Sequence, residues 1–298
     1  MKLAIDRLIE AIAATGNPTC AGLDTRVSHV PDEIAVEPLR EGLPAQAIAA
    51  YNMEMINVLA GIVPAVKVQI AYYEMLGIEG MCAFEATMEA ARDAGMIVIV
   101  DAKRNDIGAT SEAYADAYVS PQAPFAADFL TINPYLGSDG VLPFVNACKK
   151  SGSGLFCLVK TSNASSGEIQ DLLIDGQPLY ARVGELVKGW GDGTIGEHGY
   201  AGVGAVVGAT YPEQGRELRR RLPGVFFLIP GYGAQGATAT DLAGCFDESG
   251  RGGIVNASRS LLTAWQKAPG TPWRTALKDE ALRMRDELAA AISGSADR

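Results

Sequence analysis

Histidine is nearly absent from this chain: only His29 and His198 occur among 298 residues, both in polar, loop-like segments. A histidine-based zinc centre or a Ser-His-Asp triad therefore has little raw material. Basic residues are in the minority too, with 25 Lys+Arg against 35 Asp+Glu and a formal net charge of −10. Nucleic acid and anionic membranes attract basic surfaces, so neither is an expected partner. A small anionic ligand stays open, because it needs only one local cluster of Lys and Arg. No uncharged apolar stretch reaches about 18 residues, so no membrane span is predicted. The five cysteines (Cys20, Cys82, Cys148, Cys157, Cys245) are scattered, odd in number and never spaced CxxC. Four lie in or beside apolar patterns where buried thiols are common, which predicts a reduced, cytoplasmic protein. Intrinsic disorder is excluded by an apolar content of 48% and a charged content of 20%.

What the chain does have is a strand–helix rhythm. Residues 1–15 place Asp6, Arg7 and Glu10 among apolar residues at helical spacing, an amphipathic helix rather than a signal peptide. Strands are predicted at Thr19–Asp24, Ala65–Ile70, Met96–Asp101, Asp128–Asn133, Leu155–Lys160, Gly202–Gly208, Val225–Pro230 and Gly253–Ala257. Helical patterns fall between them at 44–60, 80–94, 109–118, 138–151, 178–189, 212–221 and 236–246, with another from 259 and a C-terminal helix near 272–292. Unbroken apolar runs predict strands buried on both faces, as in a parallel sheet. Eight such units fit an α/β fold, a (β/α)8 TIM barrel with an extra N-terminal and C-terminal helix, in one domain over 1–298 with its barrel core about 19–268. An open doubly wound sheet satisfies the same periodicity, since closure is not written in it. Segments 161–177 and 189–199 are polar or glycine-rich, and read as a mobile lid or a surface excursion.

Barrels of this kind place their chemistry at the C-terminal strand ends. Strand one ends at Asp24, strand two carries Lys67, strand three runs into Asp101-Ala102-Lys103-Arg104-Asn105-Asp106, and strand five ends at Lys160. On an extended chain Asp101 and Lys103 project to one side, about 6.6 Å apart. Alternating signs from neighbouring strands would let each half-buried charge offset the next. A structural ring of ion pairs at the mouth explains the same pattern. Asn133, at the end of strand four, is placed to line the site. Lys160 faces the mouth or is a solvated strand end, and Tyr72 and Tyr73 read as packing. The literal GxGxxG at Gly231–Gly236 follows strand seven, where barrels bind phosphate, rather than an early βαβ unit as a dinucleotide site requires.

The run VDAKRNDIGAT (Val100–Thr110) resembles the DxKxxDI signature of the orotidine 5′-phosphate decarboxylase family, in its longer bacterial branch. AGLD (Ala21–Asp24), PAVKVQ (Pro64–Gln69), PGYGAQG (Pro230–Gly236) and NASR (Asn256–Arg259) extend the likeness in order over about 20–260. The resemblance implies an enzyme, a cofactor-independent carboxy-lyase forming UMP and CO2 from orotidine 5′-monophosphate (OMP), with no metal. It implies a charged array of Lys67, Asp101, Lys103 and Asp106, in which Lys103 protonates C6 and Asp101 with Lys67 holds Lys103 in place. It further implies a homodimer in which Asp106, Ile107 and Thr110 reach the neighbour's site. Asp24 and Lys67 would bind ribose hydroxyls, Ser162 the pyrimidine edge, and Arg259, with Gln235, the 5′-phosphate. Two other readings share this frame: a magnesium-dependent sugar-phosphate lyase and a catalytically silent nucleotide-binding barrel. The magnesium enzymes want a carboxylate at the end of strand two, and 66–71 holds none; the silent barrel would be favoured by loss of an array member, and all four are present.

Overall fold

The structure, a computed structural model, describes residues 2–233 and 236–296. Eight strands form a closed parallel barrel: β1 (Thr19–Leu23), β2 (Ala65–Gln69), β3 (Ile97–Arg104), β4 (Phe129–Ile132), β5 (Gly154–Lys160), β6 (Val203–Val207), β7 (Phe227–Pro230) and β8 (Gly253–Ala257). Each pairs with its sequence neighbours, and β8 closes on β1 with Thr19 opposite Val255. Closure settles the choice that periodicity left open between a barrel and an open sheet. Period-two alternation sorts every strand into two environments. Cys20, Ala65, Ile97, Ile99, Phe129, Phe156, Leu228 and Ile254 fill the lumen, where the rings of Phe129 and Phe156 stack at 4.9 Å. The residues between them, such as Val66, Val98, Leu130 and Leu155, face outward into the helical layer.

Helix α1 (Ala4–Thr15) closes the bottom of the barrel. Ala4, Ile5, Leu8 and Ile9 form one apolar stripe and join the lumen cluster. The turn after it needs Gly16, at φ 58°, whose N–H donates to the Ile12 carbonyl. The glycine-rich stretch 189–199 belongs to this end: the buried Asp6 carboxylate accepts from the His198 N–H at 3.2 Å, and Glu10 lies 3.3 Å from His198 Nε2. It is thus a bottom-face tie and no lid, since the strand ends that carry charge point the other way.

The outer layer is α2 (Pro44–Leu59), α3 (Gly77–Asp93), α4 (Gly108–Tyr118), α5 (Ser138–Ser151), α6 (Leu179–Trp190) and α7 (Pro212–Arg221). The helices expected over 236–246 and from 259 are shorter than their sequence pattern. They reduce to Ala239–Leu242 and Arg259–Leu262, each followed by a 3-10 turn. The C-terminal helix α8 (Trp273–Ala296) takes up the space, packing on both short segments and on α2, with Trp273 edge-on to Tyr51 at 5.2 Å. Residues 161–177 form a flap at the mouth: a 3-10 turn (Ala164–Ser166), one helical turn (Gly167–Gln170) and a two-stranded hairpin (Leu173–Ile174 with Gln177–Pro178). Among the described residues no helix is long and apolar enough to cross a membrane.

Candidate active site

Upward along the lumen the side chains change from apolar to polar. Asp24, Lys67, Asp101, Thr131, Asn256 and Ser258 follow the apolar layers on their strands and line a cavity of about 700 Å³ at the C-terminal mouth. The close approach of β8 to β1 requires Gly22: a Cβ there would meet Ser258 Oγ at 2.0 Å.

At the cavity floor Asp101 is shared between two lysines. Its Oδ2 lies 2.8 Å from Lys67 Nζ, and its Oδ1 lies 2.6 Å from Lys103 Nζ. Lys67 also reaches Asp24 Oδ1 at 3.2 Å. Burial alone would lower the Lys67 pKa most, but the Asp101 and Asp24 carboxylates reverse this and hold it above the usual lysine range. Burial likewise works to raise Asp101, and Lys67 and Lys103 reverse it, holding the carboxyl well below the usual carboxylate range. Both groups are therefore ionised at neutral pH. Lys103 is the accessible member, with its side chain 46% exposed.

The backbone that presents Lys103 is irregular. Register between β3 and β4 breaks after Val100, and Lys103 sits at φ 48°, a left-handed conformation costing a non-glycine residue about 1–2 kcal/mol. Thr131 on β4 compensates: its Oγ1 accepts from the N–H groups of Ala102 and Lys103, each at 3.0 Å, and donates to Asp101 Oδ1 at 2.9 Å. One hydroxyl thus fixes both the strand end and the carboxylate. Asp101 gives Oδ1 to Lys103 and Thr131 and Oδ2 to Lys67. Among the described residues no three His, Cys, Asp or Glu side chains gather as a metal site.

The same cavity is also lined by two arginines, Arg26 and Arg259, with His29, Tyr72, Gly231 and Tyr232. Burial, and then the neighbouring Arg26 and Arg259, lower the His29 pKa, so its ring is neutral at pH 7. The Tyr232 hydroxyl donates to Glu287 of α8 at 2.7 Å, tying the loop after β7 to the C-terminal helix. Gln235 lies outside the described residues. Arg259 opens a helix of only four residues rather than the longer one expected.

Ser162 lines the cavity from the flap, beside Thr161, Asn163 and Gln170. Asn133 does not line it: its Oδ1 accepts from the Tyr135 N–H at 3.0 Å, closing its own turn, and Thr131 two residues earlier faces the lumen instead. Asp106, Ile107 and Thr110 also lie outside the cavity wall. Asp106 accepts from the Ile107 N–H at 2.8 Å, and Ile107 is 56% exposed. Lys160 neither faces the mouth nor is solvated; it is wholly buried outside the barrel. Tyr73 is core, packed on Phe84 and taking a hydrogen bond from Asn52, whereas Tyr72 faces the cavity with Arg26 above its ring. Sequence reasoning passed over Thr131, Asn256 and Ser258. Counting in steps of two along β4 and β8 from the buried base would have found them.

A closed (β/α)8 barrel with buried ion pairs at the C-terminal mouth and two arginines lining the same cavity defines a barrel protein built for a small anionic ligand. Residues 20–268 match the model of the orotidine 5′-phosphate decarboxylase / HUMPS family. The chain is similar to an orotidine 5′-phosphate decarboxylase of Rhodopirellula baltica, 42% identical over 294 residues, covering 95% of this chain and 97% of the relative. It is 39% identical to one of Clostridium perfringens, over 96% of this chain and 98% of that one. Its structure is similar to that of Leishmania donovani OMP decarboxylase, with a TM-score of 0.78 at 28% identity, covering 97% and 98% of the two chains. The chain belongs to the orotidine 5′-phosphate decarboxylase / HUMPS family.

Proposed function

We propose that this chain decarboxylates OMP to UMP and CO2 without a cofactor. The observation that carries the reading is the Asp101 carboxylate held between Lys67 and Lys103 at 2.8 and 2.6 Å, with Arg259 lining the same cavity. Departure of CO2 breaks the C6–carboxylate bond and leaves its electron pair on C6. An ammonium aimed at that carbon stabilises the developing charge and then delivers its proton, so the lysine ends neutral and recovers a proton from water. Lys103 suits this step because it is charged, reachable and fixed by Asp101. Lys67 is too deeply engaged with two carboxylates to give up its proton; together with Asp24 it is placed for ribose hydroxyls. Ser162 and Arg259 line the same cavity, which supports Ser162 as the contact to the pyrimidine edge and Arg259 as the contact to the phosphate. Binding of the remote phosphate contributes to rate where it orders the site.

Incubated with OMP in EDTA, the protein is expected to convert it to UMP, followed as ultraviolet absorbance loss at constant pH. Absence of turnover by folded protein would overturn the assignment.

We further propose a homodimer in which Asp106, Ile107 and Thr110 complete the partner's cavity. Their position outside their own cavity wall supports this, as do the exposed apolar side chains Met75 and Tyr135 in the segments that follow β2 and β4 and Ile78 in the first turn of α3. Mixing inactive Lys103→Ala with inactive Asp106→Ala protein should restore about a quarter of wild-type activity. Random exchange makes half the dimers mixed, and each has one intact site of two. No recovery despite demonstrated exchange would refute the shared site. Barrel, α1 and α8 act in this reading as one domain. The buried free thiols of Cys20, Cys148, Cys157 and Cys245 suit the reducing cytoplasm.

A further inference from the structure

β5 ends in a buried cation that the proposed chemistry does not use. Lys160 is 0% exposed, and a lysine at that depth requires partners. Its direction comes from a β-bulge. Leu158 stands opposite Val206, and Lys160 opposite Val207, so Val159 is an extra residue in the strand. Leu158 and Val206 both line the cavity, and strict alternation would aim Lys160 the same way. The bulge turns it out of the barrel instead. There its Nζ donates to Asp171 Oδ1 at 2.7 Å and to Ser166 Oγ at 3.0 Å, and lies 4.4 Å from the centre of the Tyr211 ring.

Those two acceptors sit on the flap whose inner residues line the cavity. Gln170, next to Asp171, clamps the flap's first residue: its Oε1 accepts from the Thr161 N–H at 2.9 Å, and its Nε2 donates to Thr161 Oγ1 at 2.7 Å. The strand end of β6 supports the same segment. Gly208 leaves the room for it, since a Cβ there would come within 2.7 Å of the Ser162 nitrogen, and Thr210 Oγ1 donates to the Ser162 carbonyl at 3.1 Å.

We propose that Lys160 is a positioning residue for substrate recognition: from outside the barrel its ammonium ties Ser166 to Asp171 and so holds Thr161, Ser162, Asn163 and Gln170 as a fixed rim of the cavity. The inference rests on the proposed decarboxylase reading for the identity of the ligand, but not for the link itself. Because the cation acts only through the rim, its loss is felt in ground-state binding rather than in the bond-breaking step.

The test pairs OMP kinetics with segment-resolved hydrogen exchange of the ligand-free protein. Asp171, with its side chain 39% exposed, tolerates replacement. Asp171→Asn is expected to raise KM about tenfold with kcat within about threefold, the size of one or two lost hydrogen bonds. Exchange should quicken over 161–172 while the barrel strands keep wild-type protection. Lys160→Met should behave alike, and the double variant should be no worse than Lys160→Met alone, because both changes break one link. Should Lys160→Met fail to fold, Asp171→Asn decides the matter by itself. Unchanged KM and exchange in Asp171→Asn would overturn the proposal, and so would exchange that rises throughout the barrel, which marks a general stabilising role. If wild-type protein does not turn over OMP, the decarboxylase reading fails, and the exchange data still decide the link.

Discussion

Replacing Lys103 with alanine is expected to lower kcat for OMP by at least about 10⁴-fold in a protein that stays folded. Two contributions vanish together: the positive charge facing the carbon that becomes negative, and the proton that quenches it. Stability should change little, because the Lys103 side chain is 46% exposed and the buried Asp101 carboxylate keeps Lys67 and Thr131 as partners. Steady-state decay of OMP absorbance, with a thermal melt of the same sample, separates the two effects. A variant that keeps kcat within about tenfold of wild type would remove Lys103 from the role of donor.

Asp101→Asn should damage activity and stability at once. The carboxylate is 7% exposed and serves Lys67 and Lys103, so the amide leaves a buried ammonium with Asp24 as its remaining anion. Breaking a buried pair costs about 3–5 kcal/mol, and the surviving Asp24 contact places the loss near the lower figure. Lys103 loses its anchor as well, and kcat/KM is expected to fall at least about 10³-fold through misplacement of the donor. The pH dependence follows from the direction of the shift. The folded pKa of Asp101 lies below its unfolded value, so its contribution is full above about pH 4 and is lost as pH falls through the folded value. Wild-type stability should therefore decline steeply in acid, and the asparagine variant less steeply. Urea unfolding of both proteins at pH 7 and at steps below pH 5 measures this directly. Equal stability at pH 7 would mean that the buried triad does not hold the barrel mouth together.

Much of this arrangement was legible residue by residue. Apolar runs such as MIVIVD read as strands because both faces of a barrel strand are covered, and the charges that end them read as a mouth because interior charge must lie near water. The helices after β7 and β8 misled because periodicity reports which face is apolar and not which neighbour covers it; α8 covers both segments, and one turn of each suffices. Lys160 misled for another reason: a single extra residue in β5 inverts the face its side chain takes, and no alternation count contains that shift. Asn133 and Thr131 show the same limit, since the end of β4 fell two residues earlier in effect than the pattern placed its working group.

What the sequence determined by itself is the α/β alternation, the apolar lumen and helix-facing layers, and the set of ionisable groups at the strand ends. Those properties are local, set by side-chain period and by the cost of burying charge, and they survive without knowing any long-range contact. Only the tertiary structure decided that the sheet closes, that α1 plugs the bottom with 189–199 tied beneath it, and that 161–177 forms the rim of the cavity. It also decided that Asp101 is shared between Lys67 and Lys103 while Thr131 takes up the strained backbone between them. Each of these depends on register, bulges and left-handed turns, which join residues far apart in the chain at distances of a few ångströms and leave no periodic trace along it.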